Sequence, residues 1–150
     1  MTSLHRLTVW RKADLLAQRI CATITSDPAA PHADLVMRLR AAATDVPLLI
    51  DAGSRAAEAS GFAGQIDRAI DLTHKVRYLL SLSESLGRLA SSECARLHAR
   101  TDQVQRMLTG LLRTVEQRPR ASAKIRPSRE TNGHATTRRR SPSSPSGPGD

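Results

Sequence analysis

From Cys94 to Val115, the residues Cys94, Leu97, Thr101, Val104, Leu108, Leu111 and Val115 recur at alternating steps of three and four. On a straight helix such positions form one narrow apolar stripe. Leu35, Leu39, Ala42, Val46, Leu49, Gly53 and Ala57 repeat the pattern, as do Phe62, Ile66, Ala69, Thr73, Val76 and Leu80. A further stripe of Trp10, Ala13, Ala17, Ile20 and Ile24 marks a helix near the start. Four helices with such stripes can remove them from water only by packing on one another.

Local breakers set the boundaries. The first helix covers about residues 7–25 and stops at Asp27, Pro28 and Pro31. The second runs from near His32 to about Ala59, and Pro47 inside it lacks the amide for one helical hydrogen bond, which predicts a kink. Ser60 is placed to cap the third helix, with Gly61 easing the reversal, and Gly87 stands near its far end. Ser91, backed by Glu93 in the first turn, caps a fourth helix that fades near Gln117. Short connections make successive helices antiparallel, so the expected fold is all-α, an antiparallel up-down-up-down four-helix bundle over residues 1–117. From Arg118 the chain is Arg, Ser, Pro and Thr without periodic apolar positions, which predicts a disordered basic tail over 118–150.

Composition fits this division. Trp10, Phe62 and Tyr78 are the only Trp, Phe and Tyr, so the interior must be built from Leu, Val, Ile and Ala, which favours close helix approach over a sandwich or barrel. Residues 1–117 carry 15 Lys/Arg against 12 Asp/Glu, whereas 118–150 carry 8 against 2, so most of the net charge of +9 lies in the tail. A nearly neutral body with a cationic arm suggests a polyanionic partner.

Arg118, Arg120, Lys124, Arg126, Arg129, Arg138, Arg139 and Arg140 are candidate phosphate contacts on that arm, although a solubilising tail has the same composition. Within the bundle, Arg96 and Arg100 lie one turn apart beside the last stripe, Arg106 and Arg113 share another line, and Arg38 and Arg40 sit on the second helix. Asp102 with Arg106, Glu84 with Arg88, and Asp71 with Lys75 have the i, i+4 spacing of ordinary surface pairs, so a solvated face competes with nucleic-acid binding at each position. Leu72, Leu79 and Leu86, at seven-residue steps, widen the apolar face of the third helix. They are the candidate oligomer interface, with a broader monomer core as the alternative.

Other chemistry finds little footing. Cys21 and Cys94 lack ligand spacing and are expected as buried thiols. Asp71 and His74 have the carboxylate-x-x-His spacing of a di-iron bundle, but Ala95 stands where the partner motif ahead of His98 needs a carboxylate, so no metal or cofactor is expected. No glycine-rich phosphate loop or nucleophile–base pair is recognisable, and Trp10 at seam spacing is expected in the core. No run approaches membrane-spanning length and the first residues lack a signal peptide's apolar run, which places the protein in the cytoplasm without a membrane partner.

Two segments then point to a family. LTVWRKADLLAQRICATI at 7–24 and LVMRLRAAATDVPLLIDAG at 35–53 resemble the bacterial four-helix-bundle family named for ribosomal RNA intervening sequences. Its L-x-V-W-x-K-A opening is present, and its second helix matches at Leu39, Arg40, Ala42, Ala43, Pro47, Ile50 and Gly53. Phe62 stands for the first of an aromatic pair, and Leu86, Gly87 and Leu89 for its L-G-x-L. Asp51-Ala52 replaces the family's Ala-Glu, and Asp71, Leu72, Thr73 and Lys75 replace its Gly-Ser-Leu-x-Glu, as in a divergent branch. The resemblance implies a non-catalytic homo-oligomer, commonly a pentamer. Relatives among the accessory variability determinants of diversity-generating retroelements bind a reverse transcriptase and its template RNA. The leading expectation is therefore an accessory protein that binds RNA or DNA and partners a reverse transcriptase. The alternative is a protein–protein scaffold that binds no nucleic acid.

Overall fold

The computed structural model describes the backbone of Thr2–Ala123 and the side chains of residues 6–117. It contains α1 (Thr2–Thr23), α2 (Ala33–Ser54), α3 (Ala59–Ser85) and α4 (Ser91–Ala123), and no strand among the described residues. Residues up to Gln117 form one compact unit. Lys124, Arg126, Arg129, Arg138, Arg139 and Arg140 lie outside the described residues, as do the side chains of Arg118 and Arg120. The backbone of α4 continues past the expected end at Gln117 and through Pro119 to Ala123.

The four helices are antiparallel in sequence order. Gly53, near the end of α2, meets Phe62 at the start of α3. Along the α3–α4 seam, Thr73, Arg77 and Ser81 contact Gln105, Asp102 and His98 in turn, one number rising as the other falls. Thr8 and Val9 share a groove with Met107, Gly110, Leu111 and Thr114, so α4 returns to α1 and closes the ring. Every stripe position expected on α3 and α4 is buried. Leu16, Ile20, Leu39, Ile50, Ile66, Leu80 and Leu108 are among the largest side chains fully removed from water, and this burial is the main favourable term holding the bundle together.

The first two stripes are adjusted. Val9 and Leu16 complete the buried face of α1, whose centre falls between them and Ala17, so Trp10 lies on the flank and remains 36% exposed instead of entering the core. On α2, Val36, Ala43 and Ile50 are buried while Leu49 is only half-buried. That helix ends at Ser54 and not near Ala59, because the chain must turn before Phe62 can dock. The amides of Arg55 and Ala56 close the end on the carbonyls of Ala52 and Gly53.

Helix ends also depart from expectation. Glu58, in extended conformation, is the N-cap of α3, and Ser60 lies inside its first turn. The Ser91 hydroxyl donates to Glu84 Oε2 at 2.6 Å, tying the end of α3 to the start of α4 rather than capping α4. Gly87, at φ 76°, takes the left-handed turn that stops α3. The amides of Gly87 and Arg88 bond the carbonyls of Glu84 and Ser83, the paired pattern a left-handed residue permits. Cys94 is buried as expected, whereas Cys21 is only half-buried.

Candidate nucleic-acid interface

Charge is divided unevenly among the helices. α1 carries Arg6, Arg11, Lys12 and Arg19 against Asp14 alone, while α2 carries two arginines against three aspartates. On α3 three cations meet three acids, and α4 up to Gln117 has Arg96, Arg100, Arg106 and Arg113 against Glu93, Asp102 and Glu116. Ring closure sets the first and last helices side by side, so positive charge gathers along the α1–α4 flank.

Helical spacing orders that flank. Thr8, Lys12, Leu15 and Arg19 fall on one row of α1, and Arg96, Arg100, Gln103, Met107, Gly110 and Thr114 on one row of α4. Thr8, Met107, Gly110 and Thr114 line a groove of about 290 Å³ between the two helices, which sets one end of each row side by side. Along the antiparallel helices, Arg19 and Arg100 stand a similar number of residues beyond that groove, about 16 Å along each helix. Arg19 is exposed and Arg100 half-buried, and neither has a hydrogen-bond or ion-pair partner among the described residues. Arg106 and Arg113 are exposed on the outer side of α4, where Arg106 also edges a groove shared with His74 and Arg77 of α3.

The other expected contacts are placed differently. Arg40 is a structural residue: its guanidinium donates to the carbonyls of Cys21 and Ile24, each at 2.8 Å. α1 has no basic residue in its own last turn, and Arg40 supplies the cation that its exposed carbonyls favour. Arg96 pairs with Glu93 at 3.0 Å. Arg38 is exposed on α2, away from the α1–α4 flank. Asp102 does not pair with Arg106 but crosses to Arg77, and Arg88 donates to the Pro31 carbonyl instead of pairing with Glu84. Asp71 and Lys75 form no ion pair among the described residues, where Arg55 and Asp51 supply the i, i+4 pair at 2.7 Å. Sequence reasoning missed Arg11, Lys12 and Arg19. The available signal was the excess of cations on the first helix combined with the adjacency of first and last helices in an up-down bundle.

Leu72, Leu79 and Leu86 do not share a free surface. Leu79 is 6% exposed and belongs to the monomer core, Leu72 is half-buried, and Leu86 lies at the C-cap of α3. Over two heptads the drift is only about 40°, and the three differ mainly because Leu86 lies past the last residue of α3 while Leu79 faces the core. An exposed apolar groove lies instead between α2 and α3, where Leu48, Leu49 and Leu72 line about 650 Å³ edged by Asp45, Asp71, Arg68 and Lys75. Leu48 is 62% exposed.

A polar cluster bridges α3 and α4. Ser81 Oγ and His98 Nε2 share a hydrogen bond of 3.1 Å, while His98 Nδ1 is buried without a partner. Burial and the nearby Arg77 hold the His98 pKa below its ordinary value, opposed by Glu84. Burial, with the neighbouring Glu84, pushes the Cys94 thiol up to about 11. The Glu84 carboxyl is held down by hydrogen bonds from Ser91 and Cys94. No carboxylate orients the second ring nitrogen of His98, so the Ser81–His98 pair lacks the third member that aligns a general base. Among the described residues no group of three His, Cys, Asp or Glu gathers as a metal site. No described helix is long and apolar enough to cross a membrane.

Fold and charge together define a small helical-bundle protein with one cationic flank. The chain belongs to the family of 23S rRNA-intervening sequence proteins, whose model matches residues 5–110. That span takes in the rows of Lys12, Arg19, Arg96 and Arg100 and bears out the resemblance read from the two N-terminal segments. No curated protein and no solved structure matches the chain.

Proposed function

We propose that this chain is a non-enzymatic, homo-oligomeric accessory protein of the cytoplasm. It binds RNA or DNA through the α1–α4 flank and its basic tail, in partnership with the reverse transcriptase of a retroelement. What supports this reading is the excess of cations on the adjacent helices α1 and α4, where Arg19 and Arg100 have no acid paired with them among the described residues to balance their charge. Phosphates would supply that balance, and releasing their counterions drives association. Oligomerisation would multiply modest contacts from each subunit into useful avidity. The α2–α3 groove supports self-association, and a pentamer is the assembly favoured by resemblance. A gel-shift series at low salt, with RNA and with DNA, tests the binding. A shift with either is expected, and none with both overturns the reading in favour of a protein scaffold, which the same apolar groove suits. The partnership is tested by co-purification with a reverse transcriptase encoded nearby, whose absence would remove that element.

A further inference from the structure

The α1–α4 flank is rich in charge and poor in surfaces on which a base could stack. Unstructured strands are held by aromatic platforms combined with a basic groove. The whole chain has one Trp, one Tyr and one Phe, and none of them lies on this flank. Phe62 is buried, with the Arg6 guanidinium 4.4 Å from its ring centre. Trp10 lines the opposite side of α1, in a groove with Thr44 and Pro47 of α2. Tyr78 is exposed on α3, on the side of that helix opposite its buried stripe. Between the cations, the flank presents Thr8, Gln103, Gly110 and Thr114 with the half-buried Leu15 and Met107, none of them aromatic.

From these observations we infer that the flank takes a nucleic-acid duplex, gripped by its phosphates and not by its bases; the inference rests on the nucleic-acid reading above. A duplex keeps its bases stacked inside and presents about one negative charge per 1.7 Å of axis, a denser target than a single strand. The α4 cations, Arg96 and Arg100 on the α1 side and Arg106 and Arg113 on the outer side, are spread over about 25 Å of helix, on the scale of the roughly 34 Å turn of a duplex. Lys12 and Arg19 add a second line of cations on the neighbouring α1. Contacts of this kind position a duplex without reading its sequence.

Fluorescence anisotropy on the full chain separates the possibilities, using duplex RNA and duplex DNA of about 20 base pairs and the corresponding single strands, all at one salt concentration. At least about tenfold tighter binding of a duplex than of its strands is expected, and the preferred duplex identifies RNA or DNA as the source. The double variant Arg19→Gln/Arg100→Gln, with unchanged circular dichroism, is expected to weaken duplex binding about tenfold and to lower its salt slope by about 2. Single strands binding as tightly as duplexes, or duplex affinity unmoved in the variant, would overturn the inference while leaving nucleic-acid binding intact. Binding of no probe would overturn the reading beneath it.

Discussion

Arg40 shows how a residue chosen for its charge can serve the fold. Its two hydrogen bonds terminate α1 from a neighbouring helix, and charge-assisted bonds of this kind are each worth about 1.5–3 kcal/mol. Arg40→Gln is therefore expected to lower stability by about 2 kcal/mol in urea unfolding, with nucleic-acid affinity little changed. Gly53 is a second fold-bearing position: a Cβ there would stand 3.0 Å from the Phe62 ring and 3.2 Å from Gln65. Gly53→Val is expected to cost about 1–3 kcal/mol by pushing α2 and α3 apart. At His98 the folded protein favours the neutral ring, because burial and Arg77 oppose its charge. The unfolded chain then binds the extra proton first, so stability is full above the ordinary value of 6.5 and declines as pH falls through the lower folded value. Melting temperature should drop on acidification from 6.5 down to the folded value, and His98→Gln should flatten the decline.

At the scale of the element, the stripes of α3 and α4 were fully legible because uninterrupted three-four spacing admits one orientation. α1 was less so: Val9 and Leu16 and the Trp10–Ala17 line are both plausible faces, and the neighbouring helices decide between them. Helix ends were the weakest point. The side chains of Ser60 and Ser91 suit caps, yet α3 begins at Glu58 and the Ser91 hydroxyl is taken by Glu84. Capping depends on where the preceding backbone leaves the chain, which residue type does not encode. Local ion-pair spacing misled for a related reason. Arg77 offers Asp102 a partner across the α3–α4 seam, and contacts between helices are invisible to an i, i+4 count. The candidate site was half legible, since the cations of α4 can be read singly but their alignment with α1 exists only after the ring closes.

For the whole molecule, two surfaces separate on opposite sides of the ring. The α1–α4 flank is cationic, and the α2–α3 side is near neutral with an apolar groove. If that groove is where subunits meet, Leu48→Glu should dissociate the assembly, read as a fall in mass by light scattering, with helicity retained. An unchanged mass would locate the interface elsewhere. Dissociation should also weaken nucleic-acid binding, since avidity is lost with subunit number.

The most direct test of recognition by positive charge is the salt dependence of duplex affinity for the full chain, to which flank and tail both contribute. Arg11, Lys12, Arg19, Arg100, Arg106 and Arg113 are six cations without a side-chain partner among the described residues. Six phosphate contacts alone lower affinity roughly a thousandfold between about 50 and about 200 mM salt, so a fall of at least that size is expected, with no dependence on sequence. Affinity insensitive to salt would contradict recognition by positive charge, as would failure to bind at the lower concentration.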